Sequence, residues 1–117
     1  MKNFIKHRLR EELLKENNNF KITKDFVIPN IIQLVKDKGF NVKLVGSIAK
    51  KGFSFKDVDI LLYLDSENTF NNFENFLVHN GWEYRFSDEN EKWGIFHNYE
   101  KNFKNNLIGL DVFTEEL

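Results

Sequence analysis

The sequence predicts an α+β domain: a mixed β-sheet with helices packed on one of its faces. Three observations lead there. Helix-spaced apolar segments come first and strand-like runs dominate the second half, in the order helix, helix, strand, strand, helix and three strands. The 117 residues make one domain, long enough to bury roughly two thirds of the surface of the unfolded chain, with no room for a second. Aspartates stand inside two of the apolar strand runs, where an acid without a partner is costly.

Residues 3–16 place Ile5, Leu9 and Leu13 at four-residue intervals beside Phe4 and Leu14, which predicts a packing helix. Asn17, Asn18 and Asn19 read as a connection. The motif-bearing core covers about residues 25–115. It opens with a helix carried by Ile28, Ile31, Ile32 and Val35. Pro29 suits the first turn of that helix, or a bend in one that starts earlier, and Gly39 suits its end. Val42, Leu44 and Val45 form a short strand running into Gly46 and Ser47, and the next strand covers about 57–64. Thr69 is placed to cap a helix lined by Phe70, Phe73, Phe76 and Leu77, which Asn80 and Gly81 end. Residues 82–86 and 93–99 read as a hairpin around the polar stretch 87–92, and residues 107–113 as the last strand.

A formal net charge of -1 provides no general attraction to nucleic acid or to an anionic membrane. The basic run Lys6 to Arg10 reads as a solvated helix face. Cysteine is absent, which excludes disulfides, thiolate metal sites and a cysteine nucleophile. No apolar run approaches the roughly 20 residues of a membrane span. A soluble cytoplasmic protein with no membrane partner is expected.

Side chains alternate along a strand, so Asp57 and Asp59 project to the same face, roughly 6 to 7 Å apart at the backbone. Such a pair calls for a bound cation, basic neighbours or open solvent, and a divalent cation is the simplest of these. Asp111 is the third acid: Ile108, Leu110 and Val112 take one face of its strand and leave it on the other. Three carboxylates with Mg²⁺ or Mn²⁺ suit phosphoryl or nucleotidyl transfer. A strand ending in Gly46-Ser47 and turning into a short helix offers backbone N–H groups and a hydroxyl to an anion, and a nucleoside triphosphate fits there. Lys50, Lys51 and Lys56 lie close enough in sequence to neutralise phosphate, although each alone also reads as a surface lysine. His97 is more simply a structural histidine than a base, and His7 and His79 lack metal-ligand spacing. Trp82 and Trp93 are assigned to the core rather than to base stacking.

Gly46, Ser47, Asp57, Asp59 and Asp111 resemble the motif of the DNA polymerase β-like nucleotidyltransferase superfamily, in particular its minimal nucleotidyltransferases. That motif is Gly-Ser at a strand end, a short helical turn, Asp-x-Asp on the next strand and a third acid on a later one. The resemblance implies that the three acids bind Mg²⁺, that the Gly-Ser turn holds the nucleoside triphosphate, and that Asp111 helps to activate an acceptor hydroxyl. It implies transfer of NMP from an NTP, first of all ATP, with release of pyrophosphate. The acceptor is open, a partner protein such as a toxin among the candidates. A non-catalytic, antitoxin-like or nucleotide-binding module acting through a partner is the alternative. Two positions depart from the pattern: Ala49-Lys50-Lys51-Gly52 stands where many members have Ala-Arg-Gly, and Lys56 stands where a small residue usually precedes the first acid.

Overall fold

A computed structural model describes residues 20–117; the expected helix over 3–16, the connection at 17–19, the basic run Lys6 to Arg10 and His7 lie outside the described residues. The chain enters through a short strand β1 (Ile22–Thr23) and a helical segment made of α1 (Lys24–Val27), a π-helical stretch (Ile28–Ile32) and α2 (Gln33–Asp37). Thr23 caps its start, accepting from the Phe26 amide at 3.3 Å. The helix therefore begins before Pro29. Proline has no N–H to give, and it sits where the backbone widens into the π-helical stretch. Gly39, at φ 94°, terminates the segment as expected.

Strand β2 (Val42–Val45) runs into α3 (Gly46–Lys51), followed by β3 (Phe53–Ser54) and β4 (Asp57–Leu64). Helix α4 (Thr69–His79) leads to β5 (Glu83–Asn90), β6 (Gly94–Phe103) and β7 (Asn106–Glu116). Five strands form one sheet in the order β2-β4-β7-β6-β5, while β1 and β3 pair separately. The β4–β7 pair is parallel and the other neighbours are antiparallel, so the sheet is mixed as expected. Val58, Ile60 and Leu62 alternate with the acids along β4, and together with Leu110 and Val112 of β7 they bury the helix-covered face. Val27, Ile31 and Val35 from the first helical segment and Phe73 and Leu77 from α4 pack onto this same cluster. The acids are thereby assigned to the opposite face, where Phe86, Phe96 and Phe113 form a second apolar cluster with Leu61.

Two local expectations are corrected. Thr69 is the first residue of α4 rather than its cap, which is Asn68; the Thr69 hydroxyl accepts from the Ser66 amide at 3.1 Å and donates to Asp65. The polar stretch 87–92 is mostly strand, because its backbone pairs with β6 as far as Asn90. Ser87 Oγ lies 2.6 Å from His97 Nδ1 and 2.8 Å from the Tyr84 hydroxyl, and only residues 91–93 turn. Asn90 closes that turn by accepting from the amides of Lys92 at 2.8 Å and Trp93 at 3.1 Å. Among the described residues no helix is long and apolar enough to cross a membrane.

Candidate active site

Asp59 on β4 and Asp111 on β7 are in direct register across the parallel pair, and Asp57 is in register with Gly109. Parallel neighbours in register share a face, so the three acids predicted to meet do line one cleft. Two glycines make room for them. A Cβ on Gly109 would stand 2.9 Å from Cγ of Asp57, and one on Gly46 would stand 3.0 Å from Cγ of Asp59. Gly46 also holds φ 72°, a left-handed conformation that turns β2 into α3 and that L-residues avoid. Its part in the site is therefore clearance for a carboxylate as well as the turn itself.

Asn98 is the residue that sequence reasoning missed. It sits on β6 in register with Asp111 and donates from Nδ2 to Asp111 Oδ1 at 2.7 Å. The side chain is 2% exposed, and its Oδ1 has no hydrogen-bond partner among the described residues. A polar residue in the strand run Phe96 to Tyr99 was the available signal. Choosing Asn98 over His97 needed the register with β7, which only the folded sheet reveals.

Burial, opposed by the Asn98 hydrogen bond, pushes the Asp111 carboxyl up to about 7, with the Asp59 charge adding to the rise. Burial and the neighbouring charge of Asp57 push Asp59 up in the same way. Two buried carboxyls side by side, both raised toward neutrality, hold a proton between them more readily than two full charges. Among the described residues no group of three or more His, Asp or Glu side chains is already gathered around the position of one metal ion. A proton held between two carboxylates and a cation compete for the same lone pairs, so the protonated pair and the metal-binding pair are alternative states of one cluster. All-oxygen donors on one face, cleared by two glycines and raised by burial and then by neighbouring charge, fit a hard divalent cation.

The cleft has a volume of about 340 Å³. Gly46, Ser47, Lys56 and the acids line its polar part, and Trp93, Phe96 and Phe113 its aromatic part. Ser47 is the second residue of α3 and is exposed, and Lys56 reaches the cleft from the turn between β3 and β4. That turn is fixed by the Lys56 amide donating to Ser54 Oγ at 3.0 Å. Lys50 and Lys51 are exposed in the last turn of α3 and do not line the cleft, since the helix carries them a turn past Ser47. His97 lies on the helix-covered face, bonded to Ser87 and packed 4.7 Å from the Phe70 ring; burial lowers its pKa while Glu74 opposes this. His79 faces solvent at the end of α4, its Nδ1 against the Asn75 carbonyl at 2.8 Å. Trp82 is core, at 6% exposure, whereas Trp93 is not: it is 48% exposed and forms a wall of the cleft.

Against models of known protein families and against the sequences of curated proteins, the chain gives no match.

Proposed function

We propose that this protein is a Mg²⁺-dependent nucleotidyltransferase that moves NMP from an NTP, ATP in the first instance, to a hydroxyl acceptor and releases pyrophosphate. The observation that carries the proposal is the register of Asp59 with Asp111, which brings them into one cleft with Asp57, Ser47 and Lys56. Asp57, Asp59 and Asp111 would hold Mg²⁺ or Mn²⁺. Bound there, the ion would neutralise charge on the phosphate oxygens and acidify the acceptor hydroxyl.

The chain's own groups account for the remaining work. The Ser47 hydroxyl donates to a phosphate oxygen, and the Lys56 ammonium meets the polyphosphate as a point charge. Asp111, deprotonated when the ion is held, takes the acceptor proton. The acceptor oxygen then bonds to the α-phosphorus as the bond from that phosphorus to the bridging oxygen breaks, and pyrophosphate leaves with the electron pair. Asn98 holds Asp111 in place throughout.

The test is labelling. The full chain is incubated with Mg²⁺, each of the four NTPs labelled at the α-phosphate, and host lysate, beside the Asp111→Asn variant. Transfer of label by the parent and not by the variant is expected, and the labelled species identifies the acceptor as protein, nucleic acid or small molecule. Absence of transfer with every NTP, joined to absence of Mg²⁺-dependent NTP binding by calorimetry, would overturn the proposal.

A further inference from the structure

Trp93 stands on the turn of the β5–β6 hairpin with nearly half of its surface exposed, yet it is not a stray surface aromatic. Its backbone amide is tied to Asn90 Oδ1 at 3.1 Å, and its ring lies 6.4 Å from that of Phe113 at the wall of the cleft. Phe113 in turn packs 5.3 Å from Phe96. Phe113 follows Asp111 by two residues on one strand, so it shares the face of the acid and begins roughly 6 to 7 Å beyond it. The cleft thus passes from carboxylates to aromatic rings within one side-chain step.

We propose that Trp93, backed by Phe113, stacks the base of the nucleotide whose phosphates occupy the polar part of the cleft. This rests on the nucleotidyl-transfer reading and adds to it the place of the nucleobase. Burying a half-exposed indole against a planar π-face is favourable for any base. Among the polar side chains lining the cleft, Asn90 is the one on the same hairpin turn as the ring, and its Oδ1 already accepts from two backbone amides. With that oxygen taken, stacking area sets most of the preference and only the Asn90 Nδ2 donor is left to meet a base edge. Purines bind better than pyrimidines, with little difference between adenine and guanine.

Calorimetry with Mg²⁺ separates the two levels of the proposal. Inorganic tripolyphosphate probes the phosphate and metal end alone, while ATP adds the sugar and base. ATP is expected to bind about tenfold or more tighter than tripolyphosphate, and Trp93→Ala to remove most of that margin with tripolyphosphate binding unchanged. Trp93→Phe keeps a ring and should retain ATP affinity while losing the indole fluorescence quench that ATP produces in the parent. Equal affinity for ATP and tripolyphosphate, or an ATP affinity indifferent to Trp93→Ala, would overturn the base seat and leave the phosphate site standing. Quenching by N-acetyltyrosinamide but not by ATP would also overturn it, assigning the ring wall to the acceptor. Failure of both polyphosphate ligands to bind would instead sink the nucleotidyl-transfer reading on which the seat depends.

Discussion

Asn98 Nδ2 donates to Asp111 Oδ1 at 2.7 Å from the strand alongside, so the orientation of the third acid is set by a neutral amide rather than by a cation. An arginine or lysine in that position would neutralise the carboxylate and compete with a metal ion. An amide orients it and leaves its charge available. Partners of this kind typically change metal affinity by about 10- to 100-fold when removed. Asn98→Ala should therefore weaken Mn²⁺ binding, read by calorimetry or by water-proton relaxation, by at least about tenfold. The fold should lose only about 1 to 3 kcal/mol in urea unfolding. Unchanged Mn²⁺ affinity in a folded variant would make the hydrogen bond purely structural.

Gly109 gives a sharper test of geometry, because it lies inside β7 with no positive φ and takes an alanine without backbone strain. The obstacle to a Cβ there is the Asp57 carboxylate, which lies across the glycine. Gly109→Ala should displace Asp57, destabilise the protein by about 1 to 3 kcal/mol and weaken Mn²⁺ binding. In an Asp57→Ala background the same substitution should cost much less, a coupling that a double-mutant cycle measures directly. Additive penalties would show that Asp57 does not rest on Gly109.

These two residues also mark the limit of what the sequence made legible. The alternation Asp57-Val58-Asp59-Ile60 and the lone acid in Ile108 to Val112 were enough to put three carboxylates on one face, since strand periodicity is local. Strand pairing is non-local: the antiparallel register of β6 with β7 decides that Asn98 meets Asp111, and the parallel register of β4 with β7 decides that Gly109 lies under Asp57. The polar stretch 87–92 reads from its composition as the connection of the hairpin, since its strand character comes from pairing with β6. The aromatic-rich composition reads Trp93 as core; only the length of the hairpin brings it to the cleft wall.

Raised carboxyl pKa values make a prediction about stability against pH. Asp59 and Asp111 each rise from an ordinary 3.8 to about 7, so between those values the folded protein holds more protons than the unfolded chain. Stability then falls as pH rises through this window. The penalty is absent below the unfolded value and fully present above the folded one. In metal-free buffer, denaturant midpoints should drop from pH 5 to pH 8, and Asp59→Asn should flatten the drop. Mg²⁺ added at pH 8 should recover part of it, and at pH 6, where the cluster still holds protons, its binding should release them into a weakly buffered solution. A parent midpoint that stays level or rises across the window, with the variant following the same course, would exclude a protonated acid cluster.

Asp111→Asn joins stability to metal binding in one variant, because the amide keeps an oxygen in place to accept from Asn98 Nδ2 while removing a charge from the cluster. Relief of repulsion between neighbouring buried charges is worth on the order of 1 to 3 kcal/mol, so the metal-free variant should melt several degrees above the parent at pH 8. At pH 5 the gain should shrink, since there the parent already neutralises the cluster with a proton. The further rise in melting temperature produced by Mg²⁺ with ATP should fall in the variant, because stabilisation by a ligand follows its affinity for the folded state. Opposite signs for the two effects require one residue to be a source of strain without the ion and a ligand with it. If Asp111→Asn instead lowers metal-free stability at pH 8 and leaves the Mg²⁺-dependent rise intact, Asp111 is a structural acid held by Asn98, and the three-carboxylate site loses its third member.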